Sequence, residues 1–249
     1  MHAHPHDLSR FDPLEGRDGL SLKASVAGQW LGASAWEALA ALARLGDGAL
    51  YLTASGNYRV RGLQEADVPA AVELLEVLCG ESAASEPLED RGSQGSTVRI
   101  GWTDTEDGTV ELGAVLPLGR LSAQLADIFG ILGARVRSGR DARILLAGLE
   151  EGVAEQALRV LAPAGMVFDA ASPWAQVSAC VGAPRCPHGL SAVQEDAVQL
   201  ARSGVETRTH LVGCAERCGE PVEEHVLYVA SGEGEYDVED IEEKPESAR

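Results

Sequence analysis

Four cysteines crowded toward the end of the chain constrain its fold more than any other feature. Cys180 and Cys186 lie in ACVGAPRC with five residues between them, and Cys214 and Cys218 lie in GCAERC with three. For these thiols to act together, the chain must leave one pair, turn back and set the second beside it. The fifth cysteine, Cys79, stands far upstream in an apolar helical stretch and reads as a buried apolar residue.

The N-terminal stretch MHAHPHDLSRFDPLEGRDG carries no apolar signal segment, and no window reaches the roughly eighteen uninterrupted apolar residues of a membrane span. The expected location is therefore cytoplasmic. Structural disulfides are disfavoured there, and grouped cysteines more often serve metal or redox chemistry. Zinc sites favour tight loops with two to four residues between ligands, which suits the second pair but not the first. Iron–sulfur clusters are also held by four thiolates and accept more varied spacings. The reading places a cluster first, zinc second and disulfides third.

Upstream the chain reads as an internal repeat. GLSLKASV alternates as a half-buried strand, Ala33 to Leu45 is an alanine- and leucine-rich helix, and ALYLTASGNYRVRGL is strand, glycine kink and strand. A helix from Asp67 to Leu78 follows, which Asp67 could cap. The order then returns: TVELGAV as strand, Ser122 to Leu132 as helix, ARILLAGL as strand and Glu151 to Leu161 as helix. Gly62-Leu63 answers Gly148-Leu149, an offset of 86 residues. The strands at Leu50 to Thr53 and Arg143 to Ala147 are expected to occupy equivalent places.

The cysteine module has its own pattern. AQVSAC as strand, Gly189 to Arg202 as helix and THLVG as strand predict a parallel βαβ unit. Both cysteine loops would then sit at the carboxyl ends of neighbouring strands, where open α/β sheets bind ligands. Gly182, Gly213 and Gly219 permit tight turns and close approach of backbone amides to sulfur.

These residues resemble those of the siroheme nitrite and sulfite reductases, whose cluster signature has the same two spacings. Within that superfamily, ACVGAPRCPHG, HLVGCAERCG and the upstream LPLGRLS are most similar to the precorrin-3B synthases of aerobic cobalamin biosynthesis. The resemblance implies an α+β fold in which two ferredoxin-like β-α-β-α half-repeats form a pseudo-symmetric platform, followed by an α/β iron–sulfur module. The expected boundaries are 18–80 and 99–165 for the half-repeats, 81–98 for a linker, 166–232 for the module and 233–249 for an acidic tail.

The resemblance also implies a 4Fe-4S cluster on Cys180, Cys186, Cys214 and Cys218, with siroheme or a non-haem iron as candidate companions. The implied activity is an oxygen-dependent hydroxylation of the precorrin-3A ring with lactone formation. Implied partners are a tetrapyrrole substrate or cofactor and an electron donor such as a ferredoxin or reductase. A siroheme-dependent nitrite or sulfite reductase-like protein and a non-catalytic iron–sulfur protein for electron transfer or an accessory role stand as alternatives. Between its half-repeats the full-length family inserts a first cluster-type module. This chain has GESAASEPLEDRGSQGST there, which reads as a linker.

The family carries an arginine facing the tetrapyrrole where this chain has Ser55, in Leu52-Thr53-Ala54-Ser55-Gly56-Asn57. A serine cannot make a bidentate charged contact to a carboxylate. The remaining candidates for the tetrapyrrole carboxylates are Arg59, Arg61, Arg120 and Arg143, of which Arg59 and Arg61 share one strand face. His188 could donate a hydrogen bond to a cluster or ligate it, whereas His210 reads as a structural strand residue. With 39 acidic against 20 basic side chains and a net charge of −19, nucleic acid and anionic membranes are excluded as partners.

Overall fold

The computed structural model describes residues 8–84 and 98–242. Most of the expected linker and the last seven residues of the tail lie outside the described residues. The first half-repeat runs through β1 (Leu14–Gly16), β2 (Gly19–Ala24), α1 (Ala33–Leu45), β3 (Ala49–Leu52), β4 (Tyr58–Leu63) and α2 (Val68–Ala84). The second runs through β5 (Gly101–Asp104), β6 (Val110–Val115), β7 (Arg120–Ser122), α3 (Ala123–Leu132), β8 (Arg135–Ser138), β9 (Arg143–Leu149) and α4 (Glu151–Leu161). The cysteine module adds a helical turn α5 (Pro173–Gln176), then β10 (Val177–Ala179), α6 (Val193–Ser203), β11 (Thr209–Val212), β12 (His225–Gly232) and β13 (Glu235–Ile241).

Strand alternation decides which face of the first sheet is core. Leu22, Val60, Leu50 and Leu121 form one lateral row across β2, β4, β3 and β7, and all four are fully buried. Burying each such side chain contributes about 1.5–3 kcal/mol. Helices α1 and α3 close the core, with the Trp36 ring 4.8 Å from Phe129 and 6.0 Å edge-on to Tyr58. The next row on the opposite face reads Lys23, Arg59, Tyr51 and Arg120, a polar row whose middle members Arg59 and Tyr51 face the site.

The two antiparallel sheets have the same strand order, β1-β2-β4-β3 in one and β5-β6-β9-β8 in the other, with β7 added to the edge of the first. The repeated Gly-Leu pair marks the same device in each. Gly62 (φ 73) and Gly148 (φ 71) are left-handed. Each lies at a bulge, where pairing steps from Leu20↔Leu63 to Leu22↔Val60 and from Val110↔Leu149 to Leu112↔Leu146. Glycine adopts this conformation without a Cβ penalty. The expected equivalence of Leu50 to Thr53 with Arg143 to Ala147 fails, because β9 answers β4 and the counterpart of β3 is β8. The short polar RVRS of β8 carries no alternating signal strong enough to show itself.

The halves also exchange edges. Leu121 of β7, ahead of α3, pairs with Leu50 of β3, while Leu31, ahead of α1, bridges Val136 of β8. Their hairpin loops meet where Ser138 Oγ donates to the Gly56 carbonyl at 2.5 Å. Ser122 caps α3 by accepting from the Leu125 amide at 3.1 Å, and Gly133 (φ 61) ends it. Asp67 belongs to a 3-10 turn, Glu65–Asp67, that leads directly into α2.

The third sheet runs β10-β11-β12-β13, with the first three strands parallel and β13 antiparallel, so the expected module end at 232 falls short: residues 235–241 of the expected acidic tail pair with β12 as the sheet's edge strand. Its core is separate, formed by Val177, Val193, Ala197, Ala201 and Leu211. Helix α6 starts at Val193 rather than Gly189, because the intervening backbone returns the first cysteine loop: the Leu190 amide donates to the Gly213 carbonyl, and the Ala183 amide to that of Ser191. No helix among the described residues is long and apolar enough to cross a membrane.

Candidate functional site

Cys180 follows β10 and Cys214 lies just beyond β11, so the parallel pairing of those strands brings the two cysteine loops together. The loops are knit backbone to backbone. The Cys180 amide donates to the Leu211 carbonyl at 2.9 Å, the Cys186 amide to the Gly182 carbonyl at 2.8 Å, and the Gly213 amide to Cys180 Sγ at 3.2 Å. A Cβ on Gly189 would stand 2.5 Å from the Ala183 nitrogen, and one on Gly213 3.1 Å from Gly182 Cα. Glycine at both positions is what lets the loops touch.

Burial pushes the Cys180 thiol up, while the Gly213 and Gly182 amides pull the other way. Cys218 is pushed up by burial and by neighbouring Cys214 and Cys186. Thiolates gathered this way call for a cationic centre. Among the described residues no three His, Cys, Asp or Glu side chains converge closely enough to share one ion. Four thiols on two adjoining loops, one of them accepting from a backbone amide, are the donor type that iron–sulfur clusters use.

His210, buried on β11, holds the second loop in place. Its Nε2–H donates to the Cys218 carbonyl at 3.2 Å, and its Nδ1 accepts from Ser178 Oγ at 2.8 Å. Burial pushes its pKa down to about 4, which keeps the ring neutral near pH 7. His188 is exposed at the rim of the cleft.

Cys180, Cys186 and Cys218 open onto a cleft of about 660 Å³, within the size range of small-molecule and cofactor sites. Tyr51, Arg59 and Arg61 line it from the first half-repeat, Leu118 and Asp141 from the second, and Arg185 from the cysteine loop. Three non-glycine residues on its wall are left-handed: Leu118 (φ 54), Asp141 (φ 56) and Ala142 (φ 58). Such strain concentrates at functional sites.

The four arginines named from sequence have different fates. Arg59 is buried and committed: it donates to Asp12 Oδ2 at 2.5 Å, to the Asp12 carbonyl at 2.8 Å and to Ser21 Oγ at 3.3 Å. Arg61 lies against the Tyr51 ring at 5.5 Å, and its Nε is buried with no hydrogen-bond partner among the described residues. The Arg61 charge is offset in part by nearby Asp18, and the side chain lines the cleft beside Tyr51. Arg120 is exposed on β7 and is not among the residues lining the cleft. Arg143 lies in an adjoining cleft of about 730 Å³, where its Nη1 donates to the Val98 carbonyl at 3.1 Å and Glu223 is 3.8 Å away.

Ser55 lines the cysteine cleft, and its hydroxyl is shared with Thr53 and Asn57. Sequence reasoning missed Arg185, Arg208, Tyr51, Asp18 and Asp47. Arg185 had one signal, its place beside Cys186. Arg208, paired with Asp141 at 3.2 Å and with Glu223, had none.

No family model matches the chain. It is 26% identical over 215 residues to the sulfite reductase (NADPH) hemoprotein beta-component 2 of Klebsiella pneumoniae (strain 342), an alignment covering 78% of this chain but 37% of that protein's length. Its fold is similar to that of the Mycobacterium tuberculosis NirA protein, with a TM-score of 0.65 at 10% identity over 89% of this chain and 73% of the other. The sequence is thus similar to part of a sulfite reductase hemoprotein, and the fold is similar to that of the NirA protein.

Proposed function

We propose that the chain seats a polycarboxylate tetrapyrrole beside a 4Fe-4S cluster held by Cys180, Cys186, Cys214 and Cys218, as a precorrin-3B synthase-like oxidoreductase of cobalamin biosynthesis. The observation that carries this reading is one ligand-sized cleft faced by three of the four clustered cysteines and by Arg61. When bound, the cluster supplies single-electron transfer next to the cleft.

The chain's own residues bind and orient. Arg61 supplies positive charge on the cleft wall for a carboxylate, and Tyr51 presents its ring on the same wall. Arg59, fixed by Asp12, holds charge without reaching out. Ring hydroxylation further requires dioxygen and electrons from a donor such as a ferredoxin or reductase. The precorrin assignment rests on the wording of the cysteine loops and of the upstream LPLGRLS, while Ser55 leaves the tetrapyrrole wall one cation short of the family's.

A second reading, a siroheme-dependent sulfite or nitrite reductase-like protein, is favoured by the likeness to the Klebsiella hemoprotein. Anaerobically prepared protein, given precorrin-3A, a reductant and then oxygen, should form the hydroxylated lactone. Siroheme retained through purification, together with sulfite or nitrite reduction and no lactone, would replace the first reading with the second.

A further inference from the structure

The loop between Cys180 and Cys186 is held from outside its own module. The turn between β1 and β2 reaches it twice: the Arg17 amide donates to the Arg185 carbonyl at 3.0 Å, and Arg17 Nη2 donates to the Pro187 carbonyl at 3.0 Å. Arg185 reaches back. Its Nε is 3.7 Å from Asp18 Oδ2, its Nη2 is 3.1 Å from Asp47 Oδ2, and its Nη1 donates to the Tyr51 hydroxyl. Tyr51 in turn donates to Asp47 at 2.5 Å, which closes the ring of contacts.

These charges are partly withdrawn from water, with Arg185 34%, Asp18 27% and Asp47 18% exposed, so they are screened less than surface pairs. Asp18 Oδ2 is buried and has no hydrogen-bond partner among the described residues, so the nearby Arg185 and Arg61 charges offset it. Arg185 also lines the cleft, immediately before Cys186 in the chain.

We propose that Arg185 is a positioning residue that clasps the first cysteine loop to the first half-repeat and, through its charge, tunes the reduction potential of the metal centre beside it. The proposal rests on the iron–sulfur reading given above. A fixed cation near a cluster favours the reduced, more negative form, and a fixed carboxylate opposes it. Arg185 and its partner Asp47 therefore act with opposite sign on the same centre.

The test uses the full chain purified without oxygen, as wild type, Arg185→Gln, Arg185→Lys and Asp47→Asn. Iron and sulfide per chain are measured together with the midpoint potential in an anaerobic redox titration. The expected result is a more negative potential for Arg185→Gln, a more positive one for Asp47→Asn, and a value near wild type for Arg185→Lys. An unmoved potential in Arg185→Gln, or shifts of the same sign in Arg185→Gln and Asp47→Asn, would overturn the proposal. If Arg185→Gln loses its iron, full retention by Arg185→Lys supports the clasp, and equal loss by both overturns it. Wild-type protein without iron and sulfide would sink the iron–sulfur reading and this inference with it, whereas a cluster-bearing wild type with unresponsive variants sinks this inference alone.

Discussion

Gly189→Ala is the substitution most sharply specified by the geometry of the cysteine loops. The added Cβ would meet the Ala183 nitrogen at 2.5 Å, the Gly182 carbonyl carbon at 2.7 Å and Ala183 Cα at 3.1 Å. All three are backbone atoms, so no side chain can swing aside and the turn carrying Cys186 must move. Overpacking of this kind costs about 1–3 kcal/mol. For a chain of this size each kcal/mol lowers Tm by about 2–4 °C, so a fall of about 2–12 °C is expected. Gly152→Ala in α4 is the matched control, since nothing lies within 4 Å of its Cβ. Alanine in a helix is favoured over glycine by about 0.5–1 kcal/mol, so that variant should gain stability. Thermal unfolding followed by circular dichroism, with iron content of anaerobic protein, reads both effects. A Gly189→Ala protein with wild-type Tm and full iron would refute the backbone contact on which the loop argument stands.

Alanine at any one of Cys180, Cys186, Cys214 or Cys218 should remove most of the iron, whereas Cys79→Ala should keep it, as metal analysis will show. In fluorescence titrations with uroporphyrin, Arg61→Gln should weaken binding about tenfold or more, the usual worth of a charge-assisted hydrogen bond. Ser55→Arg should tighten it, and Arg120→Gln should leave it unchanged. Metal-free protein should lose stability as pH falls from 6.5 toward 4, because His210 titrates at about 4 when folded and at its ordinary value when unfolded, so the unfolded chain binds more protons in that window. The contribution reaches about 3 kcal/mol, is fully present above that window, and should be missing from the urea-derived pH profile of His210→Gln.

The helices α1 and α4 were legible to the residue because each carries a single apolar stripe between clear boundaries. Strands β1, β5 and β8 were not. Each is an edge or near-edge piece of three or four residues, and it becomes a strand by pairing with a neighbour rather than by its own alternation. Missing β8 is what misaligned β9 with β3 instead of β4. The cysteines were legible as a group because ligand chemistry resides in residue identity. Arg143 was placed by its match to a family position, yet the left-handed Asp141 and Ala142 before it turn toward the cysteine cleft while Arg143 lies against Val98 next door. The Arg185 clasp joins residues far apart in the chain, so no local pattern could announce it.

The central claim, that four cysteines hold a 4Fe-4S cluster at this cleft, is tested most directly by quantifying iron, acid-labile sulfide and zinc in the full chain purified without oxygen. The account predicts about four irons and four sulfides per chain and no stoichiometric zinc. One zinc per chain with no sulfide would contradict it.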